Sequence, residues 1–241
     1  MSQETYERIT RVKGSFEGCV QGIMRLCRAN IPLRLKTMVM NWNIHELTAM
    51  RAFSQNLGLQ FRHDGLLNPR IDGYASPIDK LQLPDEQLAA IDLENSTFRK
   101  RLQDGVCSTL NDRPPATGDD QIYTCGAGMV TFNVDPYGRL QLCQLARRSF
   151  FDLQANSFVN GWIGFLSKIR SCSRSKSSAC DHCTLLSHCL GCPGASELEH
   201  GDPEKPVARF CRLTHVRMQR LLGDIPGHLP DASCCLKQNA I

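Results

Sequence analysis

The chain has 241 residues, 41% of them hydrophobic and 22% charged, enough for one large domain or two small ones with a real core. Its 28 basic and 24 acidic residues leave a net charge of +4, too slight and too scattered to argue for nucleic acid. No run of about 18 apolar residues predicts a membrane span, and the polar start MSQETYERITRVKG has no secretion-signal core, so a cytoplasmic protein is expected.

The first seventy residues alternate between helix and strand signals. Ser15 is placed to cap a helix over Phe16 to Ala29, with Val20, Ile23, Met24 and Cys27 as its apolar stripe. Pro32 stops it. Leu33 to Met40 reads as a strand with Leu33, Leu35, Thr37 and Val39 on one face. Asn43 is placed to cap a second helix, Ile44 to Leu57, with Leu47, Met50, Phe53, Ser54 and Leu57 inward and Gly58 closing it. LQFRHDGLL is the next strand. This order with short loops predicts parallel pairing and α/β architecture. Asn41, Asn43, Arg62, His63 and Asp64 fall in or beside the loops that follow the two strands, as caps or solvated groups.

A loop from Asn68 to Pro77 follows, and Pro84 opens a helix expected to reach about Leu102. NDRPPATGDD, Asn111 to Asp120, is the best linker candidate. Beyond it, MVTFNV and RLQLC flank DPYG, a type I turn signal that predicts a hairpin bringing Cys125 and Cys143 toward one side. A helix near Phe158 to Ile169, a cysteine-dense loop and a last helix near Val207 to Leu222 complete the order. The basic run Arg170 to Lys176 reads as a solvated loop, and the tail after Pro226 as loop.

Thirteen cysteines is the outlying number. In a reducing compartment, clustered thiols are metal ligands or catalytic groups more often than disulfides. Seven in the second half keep a definite order: Cys125, Cys143, then Cys180-x2-Cys183-x5-Cys189-x2-Cys192, then Cys211. The CxxC pairs alone could hold one tetrahedral zinc. Seven ligands suit two metal centres, one complete and one with an open position. Cys19 and Cys27 read as apolar helix residues, while Cys107, Cys172, Cys234 and Cys235 have no partner spacing. His182 and His188 read as neighbours of the thiols or exposed groups rather than ligands.

The order Cys125-x12-Gly138-x4-Cys143, a gap, the four-cysteine run, a gap and Cys211 resembles the SPASM domain. That is the C-terminal auxiliary-cluster domain of many radical S-adenosylmethionine enzymes. CGAG, VDPYGRLQLC, CPG and GDPE strengthen the likeness, which covers about Cys125 to His215. The family usually has three residues where two separate Cys189 from Cys192. Residues 5–75 more weakly resemble the last βα units of a radical SAM partial barrel. The fold expected from the resemblance is therefore α/β followed by α+β, the end of a partial (β/α) barrel followed by a small iron–sulfur domain. The expected division is 1–78 for the βα units, 79–120 for helix and linker, 121–224 for the cluster domain and 225–241 for the tail.

The resemblance implies two auxiliary 4Fe–4S clusters. Cys125, Cys143 and Cys192 would hold the first, and Cys180, Cys183, Cys189 and Cys211 the second. A fourth ligand that some relatives carry falls on Thr131, a poor ligand for iron. The family also uses a Cys-x3-Cys-x2-Cys triplet to bind the cluster that cleaves S-adenosylmethionine, and no such triplet occurs here. The resemblance thus implies a peptide- or protein-modifying maturase that is inactive alone and needs an N-terminal radical SAM half to use S-adenosylmethionine. The competing expectation is a non-catalytic binding module stapled by zinc or iron–sulfur. Neither predicts nucleic acid or membrane as a partner.

Overall fold

The computed structural model describes residues 1–73, 77–110, 121–175, 180, 183, 185–189 and 191–223. The linker candidate 111–120, the tail with Cys234 and Cys235, and His182 lie outside the described residues. Cys107 is described only as helix backbone. The chain divides into two units, one formed by 1–70 with 74–84, the other by 71–73 with 85–241. No helix among the described residues is long and apolar enough to cross a membrane.

The first unit opens with α1 (Gln3–Thr10), a helix the sequence reading did not anticipate, capped by the Ser2 side chain. The next helix, α2 (Ser15–Arg28), begins one residue early. Gly14 is its N-cap, so Ser15 lies inside the first turn and its hydroxyl donates back to the Val12 carbonyl at 2.6 Å. Strand β1 (Arg34–Met38) keeps the expected alternation, with Arg34 and Lys36 exposed, Leu35 and Thr37 half-buried, and Val39 just beyond it fully buried. A 3-10 turn, Ile44–Glu46, leads into α3 (Leu47–Asn56). Leu47, Met50 and Ser54 face inward, while Phe53, expected in that stripe, is exposed. Strand β2 (Gln60–Asp64) pairs parallel with β1, Arg34 opposite Gln60 and Met38 opposite Asp64. These two strands are the whole sheet of this unit among the described residues.

Asn43 corrects the capping expectation. It stands at the N-cap position of the 3-10 turn and its carbonyl accepts from the Glu46 amide at 3.0 Å, but its side chain makes no cap hydrogen bond. Instead its Oδ1 accepts from the Met40 amide at 2.9 Å and its Nδ2 donates to the Met38 carbonyl at 2.9 Å. The side chain is 1% exposed and locks the turn that leaves β1. Asn43→Ala leaves a half-buried donor and a half-buried acceptor without their partner, so a loss of about 1–3 kcal/mol is expected in urea denaturation. Asn43→Asp should cost as much, because it cannot donate to Met38. Asn41 is similarly spent, its Nδ2 reaching the Lys80 and Gln82 carbonyls near the short helix α4 (Ile78–Leu81). Asp64 pairs with Lys36 at 3.4 Å.

In the second unit, the single helix expected from Pro84 to Leu102 is two, α5 (Asp85–Glu94) and α6 (Ser96–Leu110). Asn95 interrupts them. Its side-chain oxygen accepts from the Phe98 amide at 3.0 Å and caps the second helix, a preference that the Asn-Ser-Thr stretch carries. The hairpin turns where DPYG predicts it. Gly138 donates to the Asp135 carbonyl at 3.0 Å with a positive φ of 74°, which glycine adopts without strain. Its strands are short: β3 (Asn133–Val134), β4 (Arg139–Gln141) and a third, β5 (Phe151–Asp152), in antiparallel order β3-β4-β5. Met129 to Phe132, expected as strand, is instead turn and loop closed onto the Gly126 carbonyl.

The helix α7 (Phe158–Asn160) runs through a π-helical stretch, Gly161–Leu166, into α8 (Ser167–Arg170), close to its predicted bounds. Within the stretch read as cysteine-rich loop lies α9 (Pro193–His200), and α10 (Ala208–Leu222) ends the described chain. Two cores form. Leu140, Leu142, Leu166, Tyr123, Ala127 and Ala146 make one, with Cys143 packed against it. Leu102, Leu185 and Met218 make the other, with Cys183 and Phe98 against it. Helix α10 lies along α5 and is zipped to it by Arg212 to Asp85 at 3.0 Å, Arg217 to Asp92 at 3.0 Å and Arg220 to Glu86 at 2.7 Å.

Candidate metal centre

Each of the seven cysteines has a definite seat. Cys125 is exposed at the start of the turn before β3. Cys143 follows β4, and its sulfur accepts from the Ala146 amide at 3.3 Å. Cys192 is the N-cap residue of α9. The sequence marks that helix start, because Pro193 is favoured at a first helical position. The amides of Ala195 and Gly194 point at the Cys192 sulfur. Gly194 is needed there for space: a Cβ would lie 3.1 Å from the Cys143 sulfur and 3.3 Å from the Ala146 amide. The α9 terminus thus abuts the Cys143 loop.

The other four thiols gather elsewhere. Cys180, Cys183 and Cys189 lie around the 3-10 turn Leu186–His188, and Cys211 lies in the first turn of α10. All four are half-buried. The sulfur of Cys189 accepts from the Gly191 amide and is hydrogen-bonded to the Thr214 side chain.

Mutual electrostatics sort the thiols. Burial pushes the Cys211 thiol up to about 12, and the charges that add to this are those of Cys189, Cys180 and Cys183. Burial raises Cys192 as well, and its thiol neighbours in charge are Cys143 and Cys125. Cys189 is raised by burial first, with Cys183 adding. No thiol of one set figures among the main influences on these three from the other. As thiolates, the members of each set would repel one another, and a bound cation would relieve this.

Among the described residues, no group of three or more His, Cys, Asp or Glu side chains converges tightly enough to hold a single metal ion. The thiols within each set sense one another's charge at a longer reach. Ligands of one tetrahedral ion crowd together, whereas ligands at the corners of a cubane stand apart by the width of the cluster. Backbone amides are aimed at the sulfurs of Cys143, Cys189 and Cys192.

Several participants escaped the sequence reading. Arg170, expected to be solvated, donates to the Cys125 carbonyl at 2.6 Å and the Ala127 carbonyl at 3.3 Å, bracing the Cys125 loop. Tyr123 is buried, donates to Glu197 at 3.3 Å, and is raised well above an ordinary phenol by burial and by Glu197, with Cys143 and Cys192 adding. Thr131 is exposed and donates to the Gly126 carbonyl at 3.4 Å. His188 is 5% exposed. His215 is buried and its Nδ1 lies 2.8 Å from the Cys211 carbonyl. Among the remaining cysteines, Cys19 is hydrogen-bonded to Tyr6, Cys27 is half-buried on α2, and the exposed Cys172 donates to the Lys168 carbonyl at 3.4 Å.

No protein family, curated protein or solved structure matches the chain.

Proposed function

We propose that the chain is a radical SAM/SPASM-type iron–sulfur protein, a peptide- or protein-modifying maturase that is inactive without a radical SAM half, in a reducing, cytoplasmic setting. The observation that carries this reading is the sorting of the thiols. Cys192 answers to Cys125 and Cys143, although it sits only three positions from Cys189 in the run. Cys211 answers to Cys180, Cys183 and Cys189. That interleaving is the one the resemblance pairs, and adjacent CxxC steps would not suggest it.

In this reading Cys125, Cys143 and Cys192 hold the first 4Fe–4S cluster and the four remaining thiols hold the second. When bound, the clusters supply one-electron transfer and a site for a substrate donor. The chain's own residues have more local tasks. Arg170 fixes the Cys125 loop, the Ala146, Gly191, Gly194 and Ala195 amides stabilise thiolate charge, and α5 holds α10 so that Cys211 reaches its set. Each thiol gives up its proton to bind, so folding of these loops and binding are coupled.

Anaerobic purification tests the reading. Brown protein with broad absorption near about 400 nm and about eight irons per chain is expected. Incubation with dithionite and S-adenosylmethionine should then yield no 5′-deoxyadenosine, because the cleaving triplet is missing. Colourless protein carrying zinc and no iron would leave only the binding-module reading, and repeated turnover would mean that other cysteines build the cleaving site.

A further inference from the structure

We propose that an uncharged apolar face, built by the stretch leading into β3 and by the helical run from α7 to α8, is the seam of a two-fold dimer whose other half is a second copy of this chain. The inference stands on that surface alone and holds whichever metal the thiols bind.

Two segments supply the face. Met129, Val130 and Phe132 come from the turn before β3, and Phe158, Val159 and Ile163 from α7 and the π-helical stretch after it. These six side chains range from 41% to 79% exposed. Their rings join the two segments. Phe132 packs on Phe158 with centroids 5.0 Å apart, and both meet the Trp162 ring, at 5.7 and 5.9 Å. Val159 and Ile163 point away from the core. The inner side of the same helix carries the buried Leu166 and Gly161, where a Cβ would come 2.6 Å from Leu140.

The face is held ready before any partner arrives. Trp162 packs against the core beneath it. The Met129 and Val130 amides donate to the Gly126 carbonyl at 3.1 and 2.9 Å, and Arg170 donates to the Met129 sulfur at 2.9 Å. Association therefore orders little that is not already ordered.

Area and charge select the occupant. At these exposures six side chains of this size present on the order of 600 Å² of apolar surface, the top of the roughly 300–600 Å² range for the largest patch on an ordinary monomer. With the exposed Val134, Asn160 and Gly164 beside them, the face approaches the about 800 Å² that each partner gives to a standard interface. Neither 126–134 nor 154–167 contains a charged residue. Arg170, which touches Met129, is spent on the Cys125 and Ala127 carbonyls. A two-fold axis lays a patch on its own copy, so a charge near the axis meets itself. This face has none to repel, and none by which to select a partner of opposite charge. Strand β3 is also an edge of the sheet β3-β4-β5, and an edge strand can pair antiparallel with its own copy across such an axis.

The test is sedimentation equilibrium of the full chain over a wide concentration range. The mass is expected to rise from the 27.0 kDa of one chain to twice that and to stop there. Ile163→Asp and Val130→Asp, on separate segments, should each weaken the dimer about a hundredfold, since the change enters the seam twice. Both side chains are exposed in the single chain, so circular dichroism and the melting temperature of the dilute monomer should not move. Val12→Asp, in the first unit and 57% exposed, should leave the dimer intact. If one seam variant fails to fold, the other carries the test. A monomer at every concentration overturns the inference, because the face then serves something other than a second copy. A dimer that both seam variants leave unmoved overturns it, as does one that Val12→Asp also breaks. Growth past the dimer overturns the closed two-fold arrangement.

Discussion

Changing Cys211 to Ala is expected to remove about four irons per chain, while Cys172→Ala should leave the iron content at wild type. The pair is chosen for contrast. Cys211 is half-buried in α10, facing three other thiols, whereas Cys172 is exposed and its thiol meets only a backbone carbonyl. The loss does not follow from a broken helix. Leu213 and Met218 are 0% and 1% exposed, and three arginines tie α10 to α5. Ala is also the best helix former, and truncating one small half-buried side chain costs only about 1 kcal/mol of packing. Helical circular dichroism should therefore persist at low temperature while the melting temperature falls, because a metal group bound by these thiols would contribute folding free energy. Cys180→Ala, Cys183→Ala and Cys189→Ala should each give the same iron count as Cys211→Ala. Full iron in Cys211→Ala removes Cys211 from the site.

Spacing made part of this legible. The parallel pairing of β1 with β2, the DPYG turn, and the helices that begin at Phe158 and Ala208 all rest on local signals: alternation, turn chemistry and helical periodicity. What stayed hidden rests on side chains with two uses. Asn43 carries a capping signal and yet is spent on the exit from β1, because two half-buried backbone groups there outbid the helix end. Arg170 sits in a basic run that reads as solvated, but its fork matches two carbonyls of the Cys125 loop. Asn95 and Pro193 carried recognisable start signals for α6 and α9, masked by the apolar pattern around one and the cysteines around the other. For the site itself, the order of cysteines is plain in the sequence, while the grouping of Cys192 with Cys125 and Cys143 needs the chain folded. Thr214 could have been noted as the residue one turn beyond Cys211. Nothing local points to Arg217, whose partner Asp92 lies 125 positions away.

Of the two sets, the first should be the one that loses iron on mild oxidation. It offers three thiols, one of them exposed, against four half-buried thiols in the second. Thr131 stands where the domain that the sequence resembles can carry a fourth ligand, and its neutral hydroxyl is already turned to the Gly126 carbonyl. An iron without a thiolate must bind water, a carboxylate or a substrate group, and such an iron is the most exposed and the least firmly held. Brief air or ferricyanide treatment should therefore convert one cluster to a three-iron form with its own paramagnetic signal, at about one such centre per chain, while the other survives. Thr131→Cys supplies a thiol on the same exposed turn and costs little stability, since the lost hydrogen bond is long and solvent-facing. It should suppress the three-iron signal. Cys125→Ala should abolish the signal altogether by removing a ligand of that cluster, with the second cluster's potential unchanged. Two clusters that resist oxidation equally in the wild-type chain would mean that a fourth protein ligand already completes the first, and Cys107 would be the first thiol to replace.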